Sequence, residues 1–89
     1  MLNVVFKSRF KKDLKKLKSS NRDEEQLLTV IDLLASQQPL DPTFRDHVLV
    51  GNYAGCRECH IRTDWLLNYQ TTQTELLLVR TGSLSELFC

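Results

Sequence analysis

Four residues of this chain, His47, Glu58, His60 and Asp64, are of the types that move protons near neutral pH, and arginines 57 and 62 lie among them. In an extended strand alternate residues share a face. A strand over residues 56–62 therefore projects Glu58 and His60 together, flanked by Arg62, with Asp64 at the turn that follows and His47 at the start of the preceding strand. Cleaving an RNA phosphodiester requires such a face. A base takes the 2′-OH proton, a cation stabilises the pentacoordinate phosphate and an acid protonates the leaving 5′-oxygen. Histidine suits both proton transfers because its unperturbed pKa lies near neutrality. Spacing alone leaves a second reading open, a surface of scattered polar groups with histidines hydrogen-bonded structurally.

The same stretch spells Cys56-Arg-Glu-Cys59-His60, the letters of a c-type haem attachment signature. Positions 56 and 59 of a strand point to opposite faces, which also argues against a zinc half-site or a redox pair. The only Met is residue 1, so no internal Met can serve as an axial ligand. The motif is read as coincidence, with no metal and no cofactor expected.

The elements that must position these groups follow from the hydrophobic period. Residues 2–6 are apolar and partly β-branched, as in a strand. Ser8 is a candidate N-cap for a helix over residues 9–18, in which Phe10, Leu14 and Leu17 form one apolar stripe among lysines. Asn21 with Glu24 resembles a capping box for a second helix over residues 22–36, buried through Leu27, Leu28, Ile31 and Leu34. Acidic Asp23, Glu24 and Glu25 favour its positive end. Pro39 and Pro42 exclude regular structure from residues 37–44. Beyond Asp46 the period becomes that of strands, over residues 47–50, 56–62, 65–70 and 75–81, joined by short links as in an antiparallel meander. The fold class is α+β, a helical hairpin packed on a small, mainly antiparallel sheet in the order β-α-α-β-β-β-β, with a short C-terminal segment.

The 89 residues are read as one domain with a modest core. No apolar run approaches the ~20 residues that span a bilayer. The N-terminus lacks the regions of a signal peptide, and the chain reads as cytosolic. Its net charge of +1 conceals an uneven distribution, because residues 1–20 hold seven cations against one anion. A basic N-terminal arm hints at a polyanionic partner, against the plainer reading of a solvated Lys-rich helix face. Three cysteines, Cys56, Cys59 and Cys89, are read as free thiols in a reducing compartment.

Three runs together carry a family resemblance. They are Asp46-His47-x-Leu49-x-Gly51; Gly55-x-Arg57-Glu58-Cys59-His60-Ile61-x-x-Asp64-Trp65-Leu66-Leu67-x-Tyr69; and Arg80-Thr81-Gly82-Ser83-Leu84-Ser85-Glu86-Leu87-Phe88. The chain resembles, from end to end, the YafQ branch of the RelE superfamily, bacterial type II toxins that cleave mRNA, usually on the ribosome. The resemblance implies a RelE-like fold and partners comprising an antitoxin, mRNA and the ribosome, with operator DNA met only through the antitoxin. It makes His47 and His60 the family's strand histidines, Glu58 its acidic residue and Asp64 its Asp before Trp. Phe88 matches the C-terminal aromatic that stacks on a base or shapes the site. Arg80 matches the Arg before Thr-Gly, serving either the phosphate or the structure. Arg57 and Arg62 are further candidate substrate contacts, and Lys11, Lys12 and Lys15 of the first helix would meet RNA phosphates.

One position departs from the pattern. Where the family has Gly-Ser-His, this chain has Gly82-Ser83-Leu84. Losing one general acid–base group costs roughly 10²–10⁴-fold in rate. Either activity is strongly impaired, or His47 and His60 suffice with Asp64; an inactivating substitution, natural or deliberate, is the favoured reading. Two functions therefore compete, an endoribonuclease toxin and a catalytically silent toxin fold that binds an antitoxin and modulates its DNA repression.

Overall fold

The computed structural model describes residues 1–20 and 22–88, without the side chains of Asn52 and Phe88. Strand β1 (Asn3–Phe6) leads into helix α1 (Ser8–Lys18) and helix α2 (Glu24–Ala35). A two-residue strand β2 (His47–Val48), then β3 (Arg57–Arg62), β4 (Trp65–Thr71) and β5 (Glu75–Gly82), complete the sheet before a short helix α3 (Leu84–Phe88). Single 3₁₀ turns at Pro42–Phe44 and Gly51–Tyr53 flank β2.

The sheet runs β1-β5-β4-β3-β2, with every pair antiparallel except β1 and β5. The meander of β2 to β5 is as the sequence period implied. The parallel place of β1 beside the last strand was not legible from it. It follows from the intervening helices, since a parallel return needs a long crossover rather than a hairpin.

Alternation along β4 sorts the two faces. Trp65, Leu67 and Tyr69 join Cys59, Leu76 and Leu78 under the helices, against Phe10 and Leu17 of α1 and Leu27, Val30, Ile31 and Leu34 of α2. Leu66 and Asn68 point to the other face, yet they too are buried. Leu28, which the sequence placed in the core, is more than half exposed. The α2 stripe takes in Val30 and Ala35 instead.

Helix ends correct several expectations. Ser8 is the first helical residue, and Lys7 precedes it without a side-chain cap. Asp23 caps α2 by accepting from the Glu25 N–H at 3.0 Å. The capping box expected at Asn21 lies outside the described residues. Residues 37–44 contain one regular piece, the turn at Pro42–Phe44, where Asp41 accepts from the Thr43 N–H and proline occupies the first turn. The second strand is shorter than residues 47–50 because the chain enters the turn at Gly51, whose φ is +72°.

Candidate active site

Register assembles the site across the open face of the sheet. His47 of β2 pairs with Glu58 of β3, and Glu58 pairs with Asn68 of β4. Asn68 in turn pairs with Arg80 of β5, so four polar residues lie in one row. His60, two residues beyond Glu58, brings its ring centroid to 6.1 Å from that of His47. One donor atom from each of His47, Glu58 and His60 lies within 4.8 Å of the others. The three groups expected to share a face do share it.

Their hydrogen bonds set which ring atoms remain for chemistry. His47 Nδ1 lies 2.7 Å from the Arg45 carbonyl and His60 Nδ1, more loosely, 3.4 Å from the Thr63 carbonyl. A carbonyl oxygen only accepts, so each Nδ1 carries a proton and each Nε2 is left for the site. His47 Nε2 stands 3.3 Å from Glu58 Oε1. The contact is an ion pair whenever that imidazole is protonated. Glu58 is only 5% exposed, and its second oxygen has no partner among the described residues. The same three groups could also close on one cation.

Arg62 departs from the expected face. The pairing of β3 with β4 is irregular between His60 and Arg62, and Arg62 donates to Gln26 of α2 at 2.8 Å instead of flanking His60. Residues 22, 45, 60, 62, 64 and 65 line a cleft of about 930 Å³ between α2 and the β3–β4 turn. His60 and Asp64 therefore border a groove that carries three arginines.

Asp64 binds position 84. Its Oδ1 accepts from the Leu84 N–H at 3.1 Å. Helix α3 is opened by a reciprocal capping box, in which the Ser83 N–H donates to Glu86 Oε1 at 2.7 Å and the Glu86 N–H to Ser83 Oγ at 3.2 Å. The Ser83 N–H, with Arg22 at 3.0 Å, holds the Glu86 carboxyl below the usual carboxylate range. The sequence signal for this box, Ser83-x-x-Glu86, was present and went unread. Leu84 thus begins α3, 57% exposed, with its N–H held by Asp64. The side chain of Phe88 lies outside the described residues.

Arg80 and Arg57 are engaged structurally. Arg80 makes two hydrogen bonds to Asp13 of α1, at 2.7 and 3.1 Å, which raise its pKa, and the Thr81 N–H donates to the same carboxylate. Arg57 pairs with Asp46, which also accepts from the Tyr69 hydroxyl at 2.7 Å. Its cross-strand neighbour is Tyr69, on the helix-covered face, so Arg57 stands apart from Glu58 and His60. Lys11, Lys12 and Lys15 are exposed along α1. Cys59 is fully buried within β3, and Cys56, half-buried, precedes that strand. Asn68 and the Arg45 carbonyl escaped the sequence reading; Arg45 adopts a left-handed φ of +51° that its residue type does not advertise.

Comparison with known proteins settles the family. Residues 2–89 match the family of bacterial toxins of type II toxin–antitoxin systems typified by YafQ. The chain belongs to the YafQ toxin family. The mRNA interferase toxin YafQ of Escherichia coli K12 is 31% identical over 97% of this chain and 95% of its own length. The YafQ chain in the crystal structure of the E. coli DinJ–YafQ complex superposes with a TM-score of 0.90 at 30% identity, covering all of both chains. A metal-bound toxin from Helicobacter pylori gives 0.92 at 44% identity, over 99% of this chain and all of that one. The RelE-like α+β architecture of the YafQ family is therefore shared throughout.

Proposed function

We propose that this chain is the toxin of a type II toxin–antitoxin pair, a metal-independent endoribonuclease that cleaves mRNA on the ribosome. The observation that carries the reading is the clustering of His47, Glu58 and His60 on one face, with Glu58 buried and His47 Nε2 turned to it. The name of the E. coli relative supports mRNA as substrate, and its complex with DinJ supports an antitoxin partner.

In this mechanism the Nε2 lone pair of His60 takes the 2′-OH proton. The 2′-oxygen then attacks phosphorus as the bond to the 5′-oxygen breaks. A proton on His47 Nε2, which stands beside Glu58, passes to that leaving oxygen, giving 2′,3′-cyclic phosphate and 5′-OH ends. Until it gives up that proton, the imidazolium of His47 meets the charge that builds on the phosphate. The exposed lysines of α1 bind ribosomal RNA through phosphates, an attraction that weakens with salt. The antitoxin folds a disordered segment across the toxin surface and alone brings it to operator DNA. The site of action is the cytoplasm, and no described helix is long and apolar enough to cross a membrane.

Leucine at position 84 adds no proton donor, and the proposed activity is accordingly low. Replacing Leu84 with His places an imidazole on the Asp64-anchored end of α3 and raises cleavage by roughly 10²–10⁴-fold. Expressed without an antitoxin, Leu84→His arrests growth, and adding His60→Gln restores it. If cells and mRNA stay untouched by a folded Leu84→His protein, the catalytic assignment is wrong. The exposed Leu84 favours one second reading, a silent toxin fold that only sequesters an antitoxin. Its signature is tight antitoxin binding without ribosomal mRNA cleavage at any protein concentration.

A further inference from the structure

We infer that the cleft between α2 and the β3–β4 turn is the subsite for single-stranded RNA on the 5′ side of the cut, with Arg45 and Arg62 holding its phosphates. The inference deepens the function proposed above, and the direction of the strand rests on that reading.

Both arginines reach the cleft through irregular backbone. The β3–β4 register shifts between His60 and Arg62, which takes Arg62 off the His60 face. Irregularities of this kind re-aim side chains beside active sites. Arg62 Nε donates to Gln26 Oε1 at 2.8 Å, and that bond leaves both terminal amino groups of the guanidinium for a ligand. Arg45 adopts the left-handed region at φ +51°, ψ 43°, which residues other than glycine seldom enter. Its carbonyl there meets His47 Nδ1 while its side chain lines the cleft. The exposed Arg45 guanidinium has no hydrogen bond or ion pair among the described residues. A planar guanidinium takes a phosphate through two parallel N–H bonds.

Arg22, paired with Glu86, adds a third cation to the cleft. The two carboxylates that also line it are engaged, Asp23 with the Glu25 N–H and Asp64 with the Leu84 N–H. At about 930 Å³ the cleft falls within the roughly 300–1,000 Å³ of small-ligand sites. Half-buried Phe44 and Ile61 give a base something apolar to lie against.

His60 lines this cleft and His47 does not. In the proposed mechanism His60 faces the attacking 2′-oxygen and His47 the leaving 5′-oxygen, with the two oxygens roughly in line through phosphorus. The ribose that supplies the 2′-OH therefore lies on the His60 side. It belongs to the nucleotide 5′ of the cut, so the strand upstream of it runs into the cleft and the strand downstream leaves past His47.

NMR titration of the whole chain with uncleavable 2′-fluoro homopolymers of each base tests the subsite. One series has one to three nucleotides ending in a 3′-phosphate and the other has one to three beginning with a 5′-phosphate. Affinity for at least one base of the 3′-phosphate series should rise by roughly tenfold from one nucleotide to three. Arg45→Gln and Arg62→Gln, both at exposed positions, should each cancel most of that rise and lower the log–log salt slope by about 0.7. Neither should change binding of the 5′-phosphate series. The absence of any rise overturns the proposal, and so does a rise that survives both variants. An arginine-dependent rise confined to the 5′-phosphate series overturns it too, because the strand then runs the other way. These titrations do not read cleavage. An inert Leu84→His protein sinks the nuclease reading, whereas loss of the arginine dependence sinks the subsite.

Discussion

Replacing Asp13 with Ala tests whether Arg80 is held for the fold rather than for substrate. Asp13 and Arg80 are joined by two short hydrogen bonds, and their side chains are only 11% and 12% exposed. The same carboxylate caps the Thr81 N–H, where α1 closes on the end of β5. Removing one partner of such a buried pair leaves the other charge uncompensated and costs about 3–5 kcal/mol. A chain of this size has about 4–13 kcal/mol in total, so the loss is a large share. At roughly 4–8 °C per kcal/mol, Tm should fall by about 12 °C or more. Urea and thermal unfolding of Asp13→Ala supply the number. The double variant Asp13→Ala/Arg80→Met should be less destabilised than Asp13→Ala alone, because it removes the orphaned guanidinium. A loss below about 1 kcal/mol, the scale of an exposed pair, would refute the reasoning. It would return Arg80 to the list of groups free to meet a phosphate.

Gly82 has φ +153°, and a Cβ there would stand 3.0 Å from Glu86 Oε1, so Gly82→Ala should strain the α3 capping box and lower the urea midpoint; an unchanged midpoint counts against that packing. Burial pushes the Cys59 thiol up to about 12, so iodoacetamide at pH 8 should modify Cys56 and spare Cys59, as peptide mapping would show. The raised Cys59 value also sets a pH dependence. Its stabilising effect is complete below the usual value of 9.0 and is lost as pH rises from there toward 12, while the unfolded thiol ionises first. Tyr69, raised by burial and by its bond to Asp46, adds to the same alkaline loss. Urea midpoints at pH 7 and 10.5 check it, and equal midpoints would show the sign to be wrong.

The strand period was enough to bring Glu58 and His60 to one face, because side-chain alternation survives any change of neighbour. It failed at Arg62, where a register irregularity, invisible in residue types, gives the side chain to Gln26. The partner of Arg80 was equally hidden. Asp13 reads as the lone anion in a run of cations, and only the docking of α1 on β5 makes it the arginine's counterion. The helices were legible as amphipathic stripes, but their ends were not, since Ser8, the expected cap, is itself the first helical residue of α1, and Asp23, read only as favouring the positive end of α2, is its cap. The role of Asp64 at the Leu84 N–H needed the position of α3, whose five residues carry little periodic signal.

The pairing of Asn3–Phe6 with the strand that begins at Glu75 bears on when this protein can act. Ribosomes make the chain from its N-terminus, so the first strand waits for its neighbour until almost everything else has been synthesised. Contacts this distant in sequence also close slowly. A half-made chain has His47, Glu58 and His60 but neither the strand that completes the sheet nor the helix that sets position 84. The chain is therefore finished before the face that carries these groups can be completed.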